Sequence, residues 1–165
     1  YDKIFEIIQQ SFPENEYRIY EEQLELLDNN NYNIIFKKEN NQIVCFIAYW
    51  EFDNFIFIEH FAVSKSNRNA GVGTTFLKKF LSECDKKVIL EVELPIEEFA
   101  KRRIEFYKRI GFCENQYPYI QPALRKTTLP LPLKLLSYQN PIDEEEYLLI
   151  KDTLYKNVYK VMDID

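Results

Sequence analysis

The chain has 165 residues, 46% of them hydrophobic and 29% charged, with a formal net charge of −6. This size and composition predict one globular domain with a sizeable core, and the acidic balance argues against nucleic acid as a partner. No apolar run reaches the roughly 18 residues of a membrane helix, so we expect no membrane partner either.

Two amphipathic helices are predicted at the beginning of the chain. Residues 2–11 carry apolar side chains near helical spacing, and Pro13 ends that helix. Residues 14–28 favour a second helix, which would bury Tyr17, Tyr20, Leu24 and Leu27 on one side. In this prediction Arg18 belongs to a solvated helix face.

Strands and helices alternate in the rest of the chain. Strands at 32–38, 43–52 and 55–63 predict an antiparallel meander, and a helix follows at 71–84. A strand at 87–94 precedes a helix that Pro95 opens and Gly111 ends. Further strands are predicted at 112–120 and 133–138, and a C-terminal helix is predicted to begin after Asp143 and to bury Tyr147, Ile150, Leu154, Val158 and Val161.

The turn S-K-S-N-R-N-A-G-V-G-T, residues 64–74, contains two of the three glycines of the chain. Arg68, Gly71 and Gly73 form the pattern R-x-x-G-x-G. A glycine-rich turn that opens a helix presents N–H groups at the positive end of the helix dipole, which suits phosphate. Neither the dinucleotide pattern G-x-G-x-x-G nor the triphosphate pattern G-x-x-x-x-G-K-S/T fits these glycines.

Together with the preceding Ala-Val, this run resembles the pyrophosphate-binding segment of the GNAT superfamily of N-acetyltransferases. Members carry Q/R-x-x-G-x-G/A five residues after a strand that ends in Val, here Val63. Residues 103–112, R-I-E-F-Y-K-R-I-G-F, are similar to a second family signature in Tyr107, Gly111 and Phe112. The likeness covers about residues 1–138 in architecture and is specific in 59–75 and 103–112. One departure is Ala100, where many members carry an Asn that contacts the cofactor.

The resemblance implies a GNAT-like α/β (α+β) fold. The central sheet would be mixed and mostly antiparallel, with helices on both faces, and a C-terminal helix would be added here. A single acetyltransferase-like domain would span 1–165. Its parts would be acceptor-side helices at about 2–28, a CoA-binding core at about 43–112, and a C-terminal hairpin and helix at about 112–162. On the acceptor-side helices Tyr17, Arg18 and Tyr20 could touch the substrate, although a solvated helix face is the favoured interpretation for each.

The implied activity is transfer of an acetyl group from acetyl-CoA, as cosubstrate, to an amine of a small molecule or peptide. Transfer would be direct, in a ternary complex and without a metal. The alternative is an acyl-CoA-binding regulatory module without turnover. Residues 116–122 and 124–132 would border the acceptor cleft.

The implied cofactor site consists mainly of backbone groups. Phe61, Ala62 and Val63 would pair with pantetheine, and their N–H groups could stabilise the developing oxyanion. The pyrophosphate would lie at the N–H groups of the following turn, which comprises Arg68, Asn69, Ala70, Gly71, Val72, Gly73 and Thr74.

Two side chains carry the implied catalysis. Glu59 lies four residues before Val63 and shares strand parity with it, so it is the candidate base, acting through water. Tyr107 matches the family's phenol acid, which protonates the departing thiolate. Glu91 and Glu93 on the next strand remain alternatives for the base, and so does His60, the single histidine.

The cysteines indicate the compartment. Cys45, Cys84 and Cys113 are odd in number and far apart, which argues against a disulfide framework and a metal pair. Reduced thiols predict a cytoplasmic protein. A homodimer and a monomer both remain open.

Overall fold

The computed structural model describes residues 1–161. They divide into two compact units, Tyr1–Val88 and the residues from Ile89 onward. That residues 1–165 form a single domain therefore stays a prediction. The first unit contains six main elements, α1, α2, β1, β2, β3 and α3, which span Asp2–Ser11, Tyr20–Glu25, Tyr32–Glu39, Gln42–Glu51, Phe55–Val63 and Val72–Glu83.

The three strands of the first unit form the predicted antiparallel meander. β1 pairs with β2, and β2 pairs with β3. Phe46, Trp50 and Phe57 are fully buried on these strands. Such large apolar side chains, each worth roughly 1.5–3 kcal/mol of transfer free energy, make the strands the core of this unit.

One irregularity interrupts the pairing of β2 with β3. Ala48 lies opposite His60, whereas Tyr49 lies opposite Ile58, so Glu59 is the extra residue of a β-bulge. A bulge re-aims the side chain that it carries. From Glu59 to Val63, half-buried and buried residues still alternate, so the predicted parity of Glu59 with Val63 is consistent with the burial pattern of β3.

The single helix predicted over 14–28 is wrong. A 3₁₀ turn at Glu14–Glu16 is followed by extended backbone at Tyr17, and α2 begins only at Tyr20. This restart rotates the buried face, so Leu24 and Leu27 are 40% and 45% exposed. Gln23 and Leu26 occupy the interior instead.

The second unit contains six further elements, β4, α4, β5, β6, β7 and α5. They span Lys87–Glu93, Glu98–Ile110, Phe112–Glu114, Tyr119–Gln121, Leu131–Tyr138 and Glu144–Thr153, so β4 begins at the boundary between the units. β7 pairs antiparallel with β4, β5 and β6. α4 begins three residues after the predicted Pro95, which leaves Ile96 outside the helix and 75% exposed.

The strand predicted over 112–120 is divided into β5 and β6, and the interruption begins at Asn115, whose backbone N–H still donates to the Leu135 carbonyl at 3.1 Å. Its side-chain amide donates to the Leu135 carbonyl at 3.1 Å and to the Ser137 hydroxyl at 3.0 Å. Its side-chain oxygen accepts from the Ile142 N–H at 3.0 Å. These bonds satisfy a buried amide, as burial requires.

The C-terminal helix begins as predicted. Asp143 accepts from the Glu146 N–H and forms a capping box with that residue. α5 continues into a π-helical turn at Leu154–Val158, and the predicted stripe is buried at Tyr147, Ile150, Leu154 and Val158. Val161, the last predicted member, is half-buried, and residue 162 lies outside the described residues. Within residues 1–161 no helix is both long and apolar enough to span a membrane.

Candidate active site

The amino end of α3 presents unbonded backbone donors. Gly71 is the N-cap residue, with φ of 78°, and no side chain caps the helix. The N–H groups of the first helical turn, at Val72, Gly73 and Thr74, have no partner within the helix. A Cβ atom added to Gly71 would meet no atom within 4 Å, so space above the turn is open. This arrangement suits an anion.

Gly73 has a different role from Gly71. A Cβ atom on Gly73 would lie 2.6 Å from Cγ2 of Val63 and 3.3 Å from Cζ of Phe61. The glycine therefore lets α3 pack directly against the end of β3. Close packing is therefore a role of Gly73 that the phosphate-binding interpretation of the turn did not include, whereas the open space at Gly71 is compatible with that interpretation.

The exposed side chain of Arg68 links the turn to the end of β3 and to α1. Its Nε donates to the Val63 carbonyl at 3.2 Å, and its Nη2 donates to the Ser11 hydroxyl of α1 at 3.0 Å. The side chain is exposed, so its charge remains accessible at the surface of the turn. The structure thus brings Arg68, Val63 and Gly73 together around the end of β3.

Glu59 has other surroundings. Its Oε2 accepts from Arg18 Nη1 at 2.8 Å, and its Oε1 accepts from Trp50 Nε1 at 2.8 Å. The Arg18 and Glu59 side chains are 8% and 4% exposed. Each carboxylate oxygen keeps further acceptor capacity, because an ionised oxygen offers two lone pairs.

These contacts set the charge of Glu59. Burial by itself would raise the pKa of the carboxyl group. The Arg18 charge, then His60, and then hydrogen bonds from Trp50 and Arg18 outweigh burial and hold the pKa below its usual range. Glu59 is therefore ionised at neutral pH.

His60, the alternative base, is a packed residue. Its ring is 2% exposed and lies edge-on to Phe12, with 4.8 Å between ring centroids. Its Nε2 lies 2.8 Å from the Glu16 carbonyl oxygen, which can only accept, so Nε2 carries the proton.

Arg18, Trp50 and Gln23 are the residues that sequence reasoning missed. Arg18 is 6% exposed rather than solvated. The Oε1 atom of Gln23 accepts from both the backbone N–H and the Nη1 of Arg18. One signal was available. A carboxylate within an apolar strand such as F-I-F-I-E-H-F needs a buried cation, which directs the search to nearby arginines.

Tyr107 is a buried residue of the second unit. It is 5% exposed on α4, and its ring packs against Phe112 with 5.5 Å between centroids. Burial raises the pKa of the phenol, and the charge and hydrogen bond of Arg103 only partly offset this. The phenol is therefore protonated at neutral pH, as a proton donor must be.

Glu91 in the second unit is bound by two phenols. Tyr119 donates to one carboxylate oxygen, and Tyr159 donates to the other at 2.6 Å. Burial and then the Glu91 charge raise the pKa of Tyr119 well above its usual value. Glu93, the remaining alternative, pairs with Leu133 in the β4–β7 ladder.

A cavity of about 360 Å³ lies in the second unit. It is lined by the segment 115–120, by Leu94 and by 132–134. The aromatic part of this segment, Tyr117 to Tyr119, belongs to the stretch predicted to border the acceptor cleft. Among residues 1–161, no group of three or more His, Cys, Asp or Glu side chains is arranged to hold a metal.

Comparison with known proteins identifies acetyltransferases as relatives of this chain. A model of the acetyltransferase (GNAT) family matches residues 1–112. The chain is 30% identical over 145 residues to "Putative acetyltransferase YjbC" of Bacillus subtilis (strain 168), covering 85% of this chain and 73% of that protein.

Solved structures share the fold. A "Putative acetyltransferase from GNAT family" from Bacteroides thetaiotaomicron is 36% identical, with a TM-score of 0.90 over 98% of this chain and 92% of that one. A GNAT family acetyltransferase from Elizabethkingia anophelis with acetyl-CoA bound is 18% identical, with a TM-score of 0.54 over 73% of this chain and 83% of that one. The first likeness confirms the predicted fold class, mixed α/β with mostly antiparallel strands.

The packing role of Gly73 gives a prediction about stability. Gly73→Ala places a methyl group 2.6 Å from Val63 Cγ2, and we expect a loss of about 1–3 kcal/mol in the free energy of unfolding. Helix propensity alone predicts a gain of up to about 1 kcal/mol in the free energy of unfolding, so the sign of the measured change shows whether the packing contact dominates. Denaturant unfolding measures it.

Two further variants control this measurement. Val63→Ala in the Gly73→Ala background removes the clashing methyl groups and should restore part of the loss. Ser82→Ala on the exposed face of α3 should change stability by no more than about 0.5 kcal/mol. A stabilised Gly73→Ala protein would contradict the packing role.

Proposed function

The chain belongs to the GNAT acetyltransferase family, and we propose that it transfers the acetyl group of acetyl-CoA directly to an amine of a small molecule or peptide in a ternary complex. It is an acetyl-CoA-dependent acyltransferase. Acetyl-CoA supplies an activated acyl group and leaves as a thiol. We further propose a cytoplasmic location, which agrees with free thiols at Cys45, Cys84 and Cys113.

The observation that carries the proposal is the uncapped amino end of α3 directly after β3. The pyrophosphate would accept hydrogen bonds from the turn Arg68, Asn69, Ala70, Gly71, Val72, Gly73 and Thr74. Three features support this fit: the helix has no side-chain cap, Gly71 is left-handed, and the space beside Gly71 is open. None of them requires the Asn that Ala100 replaces.

The end of β3 would hold pantetheine. Phe61, Ala62 and Val63 pair along one edge with Ile47, Phe46 and Cys45 of β2. In the proposal, backbone N–H groups of this segment would stabilise the negative charge that develops on the thioester oxygen. Loss of one such donor typically costs about 100- to 1000-fold in rate.

Glu59 would take the proton of the acceptor ammonium through water. The N–H bond breaks, its electron pair remains on nitrogen, and the free amine can then attack. Support comes from the ionised state of the carboxylate and from its remaining lone pairs. Tyr107 would give its proton to the departing thiolate, and its protonated, buried phenol supports this role.

The acceptor would be bound in part by the aromatic cavity of the second unit. Its Asn115 to Ile120 lining offers ring faces, amides and backbone groups to a small or peptidic amine. The experiment that tests the function is release of free CoA thiol from acetyl-CoA with a panel of small amines and peptides. Absence of release with every amine would contradict it.

Gly71 gives a prediction for cofactor binding. Asn tolerates the left-handed conformation, so Gly71→Asn should fold while placing a side chain in the phosphate site. We expect acetyl-CoA affinity, measured by calorimetry, to fall about tenfold or more. Ser82→Asn at the far end of α3 is the matched control. Unchanged affinity in a folded Gly71→Asn protein would exclude pyrophosphate from this turn.

Glu59 gives a prediction for the pH profile. Its lowered pKa means that wild type keeps an ionised base at neutral pH and loses rate only as the solution becomes strongly acidic. Glu59→Gln removes the base, and its rate then follows the free-amine fraction. We expect the deficit to be largest at low and neutral pH and to narrow at alkaline pH. A wild-type profile in this variant would direct the assignment to Glu91 or Glu93.

Tyr107 gives a prediction that separates turnover from binding. Tyr107→Phe keeps the ring and its packing on Phe112 but removes the donor proton. Turnover should fall about 100- to 10,000-fold with near-normal acetyl-CoA affinity. Tyr138→Phe, another phenol of the same unit, is the control. If Tyr107→Phe turns over normally, the phenol serves packing alone.

A further inference from the structure

We propose that Arg18 is a positioning residue of this enzyme, which holds the Glu59 carboxylate ionised and fixed in place for each proton transfer from the acceptor. The inference rests on the proposed function, in which Glu59 takes that proton. It adds a residue outside both family signatures, in the extended segment between the first 3₁₀ turn and α2.

Arg18 is itself held in place. Gln23, which is fully buried, accepts from the Arg18 backbone N–H at 3.0 Å and from Nη1 at 3.2 Å through the same Oε1 atom. The same Nη1 donates to Glu59 at 2.8 Å. The guanidinium group is thus anchored by its own helix-entry segment, and Glu59 is bound to an anchored partner.

The two oxygens of Glu59 have different donors. Arg18 occupies Oε2 with a charged donor, and the Trp50 indole occupies Oε1 with a neutral one. Because Glu59 is the extra residue of the β-bulge, ladder pairing contributes little to its orientation. The side-chain donors therefore fix where the carboxylate points.

The groups that face Glu59 come from three strands, from the residue before α1 and from the segment before α2. They are Tyr1 before α1, Arg18, Tyr32 on β1, Trp50 on β2 and His60 on β3. The two tyrosines have raised pKa values, with burial as the main cause, and are neutral at working pH. Arg18 is then the largest opposing charge at Glu59.

This pairing has a consequence for the reaction. When Glu59 receives a proton, the attraction between the Arg18 charge and the Glu59 carboxylate is lost inside the protein, which is unfavourable. The proton is therefore released to solvent instead of being retained, and the carboxylate returns to its ionised state. Arg18 makes Glu59 a proton relay that is ready at the start of each cycle.

Trp50 provides a direct measurement, because it is the only tryptophan of the chain. Its indole N–H donates to Glu59, so the single indole cross-peak in a ¹H–¹⁵N spectrum should report the ionisation of this carboxylate. The measurement needs no acceptor amine. Glu59→Gln, in which the acidic transition of the peak should disappear, assigns the midpoint.

Arg18→Gln is the test variant, and Arg18→Lys, which keeps the charge, is its matched control. In wild type the midpoint should lie below the ordinary range of a glutamate, and Arg18→Gln should move it to higher pH. With an acceptor from the amine panel, Arg18→Gln should lose about tenfold or more in rate on the acidic side and recover at higher pH. Arg18→Lys should retain most of both properties.

Three results would overturn the proposal. The first is a wild-type midpoint at or above the ordinary glutamate range, which decides the matter even if Arg18→Gln does not fold. The second is the same midpoint in wild type and Arg18→Gln. The third is a moved midpoint with an unmoved pH–rate profile, which would make the ion pair structural only. By contrast, absence of thiol release from wild type with every amine would contradict the proposed function, and the indole midpoints would still decide whether Arg18 keeps Glu59 ionised.

Discussion

The contact between Gly73 and the end of β3 is the constraint on which the cofactor-binding half of the first unit depends. With no side chain at Gly73, α3 can start against Val63 and Phe61. Arg68 then bonds the turn back to the Val63 carbonyl and across to α1. The backbone of the strand end and the free N–H groups of the helix are thereby held as one rigid arrangement. In our proposal this arrangement binds an elongated anion mainly through backbone groups, without the lysine that directly follows the last glycine of a triphosphate-binding loop.

A second constraint is the charge of Glu59 inside an apolar strand. A carboxylate that is 4% exposed cannot remain ionised without a partner, and Arg18 supplies one at 2.8 Å. The backbone is irregular at both partners of this ion pair. β3 carries a bulge at Glu59, and the segment around Arg18 is extended where a continuous helix would otherwise form. Two departures from regular structure therefore accompany one buried charge.

This coupling also explains which parts of the structure the sequence could predict. The bounds of β3 follow from a local pattern, an apolar run. The start of α3 follows from another, a glycine-rich turn before a run with helical periodicity. The break at Tyr17, the burial of Arg18 and the bulge do not, because each depends on a partner distant in sequence. Arg18 and Glu59 are separated by 41 positions. Likewise, the division of the strand over 112–120 depends on Asn115 finding acceptors on β7 and a donor at Ile142, which periodicity does not encode.

The surroundings of Glu91 bear on the choice of base, because they give this rival carboxylate a structural task. Tyr119 and Tyr159 both donate to it, and Tyr159 follows the π-helical turn at the end of the C-terminal helix. Two further phenols of that helical region, Tyr147 and Tyr155, donate to the carbonyls of Pro118 and Ile120. Glu91 is thus one of several acceptors that fasten the C-terminal helical region to the 118–120 segment. Phenols stabilise a carboxylate by hydrogen bonding without adding a charge, so protonation of Glu91 would weaken this attachment directly. The difference between the two carboxylates is the partner: our proposal keeps Glu59 as the base because a charged group, Arg18, holds it ionised, whereas Glu91 is held by neutral phenols.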